Sequence, residues 1–368
     1  MAKIANKIIK KFLIEKSYLT GKYSLSPQFL SLLITFKCNL QCKTCSIWKK
    51  TNYSELSKNK WLEIASNLSV LSPKTFVEIN GGEPLIHKDL VLNLIKKLKK
   101  HFKNIALNSN GLLIDRKIVS ELEKIGLNTV KISFYSLKKD IHNSLRGNSQ
   151  AYDKALNALK LLSKSKIDLE VGILITSENI KSIPDLIKYL RELGNTSIVL
   201  QPLDESIESS ISKNKNINTL LTNLWPKEKD VVDFFDSILN NHQQIKNSLD
   251  NIKAIRKYYL NPQEVLNYRC FAGQRSLIIY PNGNTSFCFK GSAFGNLKEK
   301  SLDKILKSQQ AIKERKNIKN CKKYCRIVGC NFSRGFVEFI RDKTEGCAEL
   351  VRHQSCQPKA GRPWAEKQ

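Results

Sequence analysis

Three cysteines stand close together early in the chain, Cys38, Cys42 and Cys45, in the segment ITFKCNLQCKTC. Their spacing is C-x3-C-x2-C, and they follow directly on the apolar run Phe29 to Phe36. Three thiolates on one tight loop can hold three corners of a cubane iron–sulfur cluster and leave the fourth iron without a protein ligand. An open iron is what a cluster needs in order to bind a substrate or cofactor directly. Zinc is the competing metal, although structural zinc sites usually take four ligands as paired C-x2-C knuckles.

The other seven cysteines are Cys270, Cys288, Cys321, Cys325, Cys330, Cys347 and Cys356. Between the first two, LIIYPNGNTSF reads as a β-hairpin with its turn at Pro281-Asn282-Gly283-Asn284, which brings the flanking thiols together. Zinc competes with iron for Cys321, Cys325 and Cys330. The N-terminus scatters Lys among its apolar residues and does not read as a secretory signal, so the expected compartment is the reducing cytoplasm, where disulfides are rare. Metal ligation is the reading left for ten cysteines.

The elements that must position these thiols can be read from periodicity. Short β-rich runs at 29–36, 75–79, 104–108, 129–134, 169–175 and 197–200 alternate with helical stretches at 61–68, 90–102, 117–125, 152–163 and 183–193. Six strands with crossover helices predict an α/β fold, a partial (β/α)6 TIM-like barrel, followed by a small α+β cysteine-rich auxiliary-cluster domain. Chemistry in such a barrel sits at the C-terminal ends of the strands, where the first cysteine loop falls. The expected divisions are a basic amphipathic helix at 1–25, the barrel at 26–204, a polar connector at 205–265, the cysteine-rich domain at 266–356 and a tail at 357–368. The first piece carries six Lys and one acid, Glu15, with apolar Ile4, Ala5, Ile8, Ile9, Phe12 and Leu13. It is expected to pack on the body of the protein, with contact to an anionic membrane surface as the alternative.

The chain has 368 residues, 62 of them Lys or Arg and 33 Asp or Glu, for a formal net charge of +29. Fifty of the basic residues are Lys and twelve are Arg. Phosphate and nucleic-acid sites lean on Arg, whose planar fork matches phosphate, so Lys spread over the whole chain reads as compositional habit. A non-catalytic, metal-stabilised nucleic-acid-binding protein is the alternative function. It requires aromatics interleaved with Arg on an exposed sheet, a pattern that is not found, and no nucleic-acid partner is expected.

The first cysteine loop resembles the cluster-binding motif of the radical S-adenosylmethionine (radical SAM) superfamily. Thr44 departs from the aromatic residue that often precedes the third cysteine there. Gly81-Gly82-Glu83-Pro84, after the second strand, resembles the family's SAM-amino-binding loop. Asn110, in Ser109-Asn110-Gly111, and Ser133 stand where the family often contacts SAM, and Arg146, in an Arg-Gly pair, is the implied partner of the SAM carboxylate. Many relatives carry Asp at the position of Tyr135, so a role for that Asp does not transfer. The later cysteines resemble SPASM and Twitch auxiliary-cluster domains, well for Cys270 to Cys288 and imperfectly from Cys321 to Cys330. The resemblance implies a [4Fe–4S] cluster on Cys38, Cys42 and Cys45, S-adenosylmethionine as co-substrate, and one or two auxiliary iron–sulfur clusters on the remaining cysteines. It also implies an electron donor such as flavodoxin or ferredoxin. The substrate is left open among a peptide, a sugar and a lipid or envelope precursor, with the basic N-terminal helix favouring an anionic or membrane-associated one.

Overall fold

The computed structural model describes residues 2–23, 25–50, 53–203, 223–240, 242–327 and 332. Helix α1 (Ala2–Thr20) is followed by β1 (Phe29–Leu33), α2 (Lys58–Asn67), β2 (Phe76–Asn80), α3 (Lys88–Leu98), β3 (Asn104–Ser109), α4 (Arg116–Lys124) and β4 (Thr129–Ser133). The pattern continues through α5 (Lys139–Arg146), α6 (Ala151–Leu162), β5 (Asp168–Leu174), α7 (Ile183–Glu192) and β6 (Thr196–Gln201). All six strands pair in parallel and in sequence order, an unclosed sheet of the partial-barrel kind that the alternation predicts. Helix starts follow local chemistry: Asp115 caps α4 by accepting from the Ile118 backbone N–H at 2.7 Å, and Ser57 caps α2.

Alternation along the strands separates two faces of the sheet. Val77, Ile79, Ile105, Leu107, Val130, Ile132, Leu169 and Val171 are fully buried in one apolar core with helix residues such as Trp61, Leu94, Leu122 and Leu159. The opposite face is polar, with Ser31, Glu78, Asn80, Asn108, Lys131 and Glu170 at the alternate positions. Lys131 pairs there with Glu78 and, at 3.0 Å, with Glu170, which also meets Lys246 at 2.9 Å. Burial disfavours the charge on Lys131, but the two flanking carboxylates outweigh it and raise its pKa.

Two findings go beyond the sequence reading. The stretch 205–265 was expected to be a polar connector with one helix; its described part holds two, α8 (Glu228–Asn240) and α9 (Leu249–Leu260). Ile252, Ile255, Tyr258 and Tyr259 of α9 are buried, and the Tyr259 hydroxyl donates to the Ile175 carbonyl at 2.7 Å. The segment between these helices runs along the outer edge of β6, with Ile198 N–H donating to Gln244 O and Lys246 N–H to Ile198 O. It covers an edge that would otherwise present unpaired backbone groups.

The cysteine-rich region is also tied into the sheet. After α10 (Ala272–Arg275), strand β7 (Ser276–Ile279) pairs in parallel with β1, from Phe29↔Ser276 to Leu32↔Ile279. Strands β8 (Asn284–Ser286) and β9 (Gly295–Asn296) extend it antiparallel, giving a nine-stranded order β6-β5-β4-β3-β2-β1-β7-β8-β9. The hairpin turn forms as expected, with Gly283 N–H donating to Tyr280 O at 2.9 Å. Helices α11 (Leu302–Lys307) and α12 (Gln309–Lys319) follow. Cys330, Cys347 and Cys356 lie outside the described residues.

The N-terminal helix docks by a face different from the one its sequence suggests. Tyr18 packs on Phe271 with ring centroids 4.9 Å apart, Glu15 pairs with Arg269, and Arg315 donates to Gly21 O at 3.3 Å. Leu13 is half-buried, whereas Ile9 and Phe12 are 55% and 58% exposed; the side chain of Ile8 is not among those described. Among the described side chains, aromatic packing and an ion pair against the cysteine-rich region, rather than Ile9 and Phe12, hold this helix.

Candidate functional site

The loop after β1 carries Cys38, Cys42 and Cys45, all with free thiols; Cys42 is buried and the other two are half-buried. Three neighbouring segments fix its course. From the end of β2, Gly82 N–H donates to Thr35 O at 2.9 Å and Glu83 N–H to Lys37 O at 2.8 Å. A Cβ at Gly82 would stand 2.1 Å from Lys37 O, so only glycine allows this approach. From the end of β3, the Asn110 side chain donates to Asn39 Oδ1 at 2.7 Å. From the end of α5, the Leu145 carbonyl accepts from Lys43 N–H at 3.0 Å.

Glu83 is fully buried, and its carboxylate is taken up by hydrogen bonds. One carboxylate oxygen accepts from the Ser109 hydroxyl at 2.9 Å and from Leu85 N–H at 3.1 Å, the other from Asn110 N–H at 2.8 Å. Burial raises its pKa against the pull of these hydrogen bonds. The Gly-Gly-Glu-Pro segment therefore bolts the ends of β2 and β3 together. Glu83→Ala should strand three buried donors and lower stability by about 3 kcal/mol or more, read as a fall in thermal midpoint. Glu83→Gln, which puts a donor opposite one of those N–H groups, should recover only part of it.

Arg146 is buried beside the three thiols. Its Nη1 donates to the Tyr135 hydroxyl at 2.9 Å and its guanidinium lies 5.1 Å from that ring, while Nε has no partner among the described residues. Burial works against its charge, but Tyr135 and the three cysteines more than offset this and raise its pKa. Burial raises the pKa of the Tyr135 hydroxyl, and Arg146 and the nearby Ser133 pull against it. His142, one turn before Arg146, takes the Tyr135 backbone N–H on Nδ1 at 3.2 Å. Burial, reinforced by Arg146, pushes its pKa down to about 3, so the ring is neutral. Sequence reasoning missed Asn39 and His142; for His142 the i, i+4 spacing to Arg146 was the one available signal.

These residues fit a cluster with one open iron. Among the described residues no three His, Cys, Asp or Glu side chains converge on a point that would hold a single ion. A cubane bonds each thiolate to a different corner iron, so its ligands need not converge on a point. A buried cation with an unused donor, close enough to three thiols to feel their charge, suits a carboxylate-bearing ligand at the remaining corner.

The second group forms around the hairpin. Cys270 and Cys288 are close enough to Cys321 for the three thiols to influence one another electrostatically. Burial is the main cause that pushes Cys270 up to about 11 and raises Cys288. Arg326 secures Cys321 by donating to its carbonyl while also donating to Leu266 O at 2.9 Å and Tyr268 O at 2.6 Å, just before Cys270. Cys321, which the sequence groups with Cys325 and Cys330, is thus brought to the hairpin pair.

The family model of the radical SAM superfamily matches residues 32–190, and that of the SPASM iron–sulfur cluster-binding domain matches residues 270–331. The chain belongs to the radical SAM superfamily. It is an enzyme of that superfamily with a C-terminal SPASM domain; the first domain implies a [4Fe–4S] cluster and S-adenosylmethionine, the second auxiliary iron–sulfur clusters. The radical SAM chain is 26% identical over 272 residues to a probable GTP 3′,8-cyclase of Methanocaldococcus jannaschii, covering 73% of this chain and 80% of the relative. It is 30% identical over 187 residues to the PqqA peptide cyclase of Bradyrhizobium diazoefficiens, spanning 49% of this chain and about half, 48%, of that protein. In fold it is similar to Streptococcus suis SuiB bound to precursor peptide SuiA, with TM-score 0.62, 17% identity, and coverage of 84% and 70%. It is also similar to anSMEcpe with bound AdoMet, with TM-score 0.61, 16% identity, and coverage of 89% and 100%. No helix among the described residues is long and apolar enough to cross a membrane.

Proposed function

We propose that this enzyme reductively cleaves S-adenosylmethionine at a cluster on Cys38, Cys42 and Cys45 and modifies a peptide substrate by hydrogen abstraction. The observation that carries the reading is the buried Arg146 beside three thiols of one loop, with Nε unpartnered among the described residues. When bound, the cluster and S-adenosylmethionine supply one-electron cleavage of the sulfonium to a 5′-deoxyadenosyl radical, the electron coming from a flavodoxin- or ferredoxin-type donor. Arg146, held by Tyr135, binds the carboxylate of the co-substrate. The backbone of Gly81 to Pro84 receives its amino group, with Glu83 keeping that loop in place. Ser133 and Asn110 complete the strand ends around it. The polar sheet face with Asn80, Asn108, Lys131 and the two glutamates offers hydrogen bonds to peptide amides.

Cys270, Cys288 and Cys321, with Cys325 nearby in sequence, would hold an auxiliary cluster, which would supply a one-electron acceptor for the substrate radical; Cys330, Cys347 and Cys356 are further ligand candidates. The peptide reading rests on the 30% identical PqqA peptide cyclase. A nucleotide is the second reading, favoured by the GTP cyclase match over 73% of the chain.

Anaerobic reconstitution with iron and sulfide should give a brown protein with more iron than one [4Fe–4S] cluster holds. With S-adenosylmethionine and a strong reductant it should form 5′-deoxyadenosine. An iron content of one cluster would remove the auxiliary centre, and zinc without iron would overturn the reading.

A further inference from the structure

The outward face of α1 is apolar and basic at once. Ile9, Phe12 and Leu19 are 55%, 58% and 61% exposed, and Lys16 between them is exposed as well. Positions 9, 12, 16 and 19 are spaced i, i+3, i+7 and i+10, so they share one stripe of the helix. The stripe does not serve folding, because the helix is anchored by Tyr18 on Phe271, by the Glu15–Arg269 pair and by Arg315 on Gly21.

The charge on this element is one-sided. Lys3, Lys7, Lys10, Lys11 and Lys16 lie in α1, and its single acid, Glu15, is turned inward onto Arg269. Among the described side chains, what the helix offers outward is thus Ile9, Phe12 and Leu19 with the ammonium of Lys16, and no carboxylate. That combination matches the anionic headgroup layer of a bilayer, where apolar side chains enter the acyl boundary and lysines stay among the headgroups.

We propose that α1 lies on an anionic lipid surface through Ile9, Phe12 and Leu19 and holds the enzyme at a membrane without crossing it. The anchor of α1 on the cysteine-rich region carries this attachment to the rest of the chain. The inference rests on the helix and is independent of the radical chemistry.

The test is co-sedimentation of the full-length, reconstituted protein with vesicles of phosphatidylcholine alone or mixed in equal parts with phosphatidylglycerol. Binding should require phosphatidylglycerol and weaken as ionic strength rises from about 0.01 to about 0.1 M, which shortens the screening length from about 30 to about 10 Å. Phe12→Glu should reduce binding about tenfold or more with iron content and circular dichroism unchanged, because Phe12 makes little contact with the fold. Phe12→Leu should bind nearly as wild type. Failure of the wild type to bind anionic vesicles at low salt would overturn the proposal. So would equal binding by Phe12→Glu, since the attraction would then belong to the overall charge of +29 rather than to this helix. A lipid-free dimer that Phe12→Glu dissociates would assign the face to a second copy instead, and equally tight, Phe12-independent binding to polyglutamate would assign it to acidic polypeptides.

Discussion

Cys42→Ala is expected to reduce 5′-deoxyadenosine formation to the background of a protein-free mixture, while auxiliary iron stays bound. Cys42 is the middle thiol of the three and the most buried, and its carbonyl also accepts from Cys45 N–H at 3.3 Å and from the Trp48 indole at 3.4 Å. The backbone of the loop can therefore survive loss of the thiol, so the effect reads on cluster ligation rather than on folding. Cys288→Ala should do the reverse, losing auxiliary iron and substrate turnover while cleavage of S-adenosylmethionine without substrate persists. Iron per chain, the cluster's electron paramagnetic resonance signal and the nucleoside yield separate the two variants. A Cys42→Ala protein that still makes 5′-deoxyadenosine at the wild-type rate would place the radical site elsewhere.

Gly147→Ala should be nearly as damaging, although it removes no ligand. Gly147 ends α5 in the left-handed region, φ 64°, and a Cβ there would stand 2.2 Å from Gln41 O, in the middle of the cysteine loop. The backbone conformation alone costs an L-residue about 1–2 kcal/mol. The clash adds to it and must be relieved by moving either the loop or the end of α5 that bears Arg146. Gly126→Ala is the control: φ is 71°, but the nearest atom to its Cβ is Lys99 Cε at 3.8 Å. Both variants should lose the backbone increment of stability, whereas only Gly147→Ala should lose iron from the first site and S-adenosylmethionine cleavage. Equal iron loading of the two variants would show that the loop does not depend on this contact.

The strand–helix alternation was legible because each parallel strand carries apolar residues at alternate or successive positions and each helix shows an amphipathic period, both of which are local patterns. The same holds for the hairpin, whose turn chemistry is contained in Pro281-Asn282-Gly283-Asn284. The pairing of β7 with β1 was not legible. It joins residues more than two hundred positions apart, and nothing in SLII or FLSLL names the other as its neighbour.

The candidate site divides along the same line. The sequence by itself determined that three thiols lie on one loop at a strand end, since ligand spacing within a few residues is set by the chain alone. It also singled out the Gly-Gly-Glu-Pro segment and Arg146. Only the tertiary structure decided that Glu83 ties β2 to β3, that Arg146 is clamped by Tyr135 beside the thiols, and that Cys321 joins Cys270 and Cys288 through Arg326. It likewise decided which face of α1 is docked. The physical reason is that a side chain's direction and partners depend on which distant segments pack against its own, and burial decides which hydrogen bonds must be made; neither is encoded in local spacing.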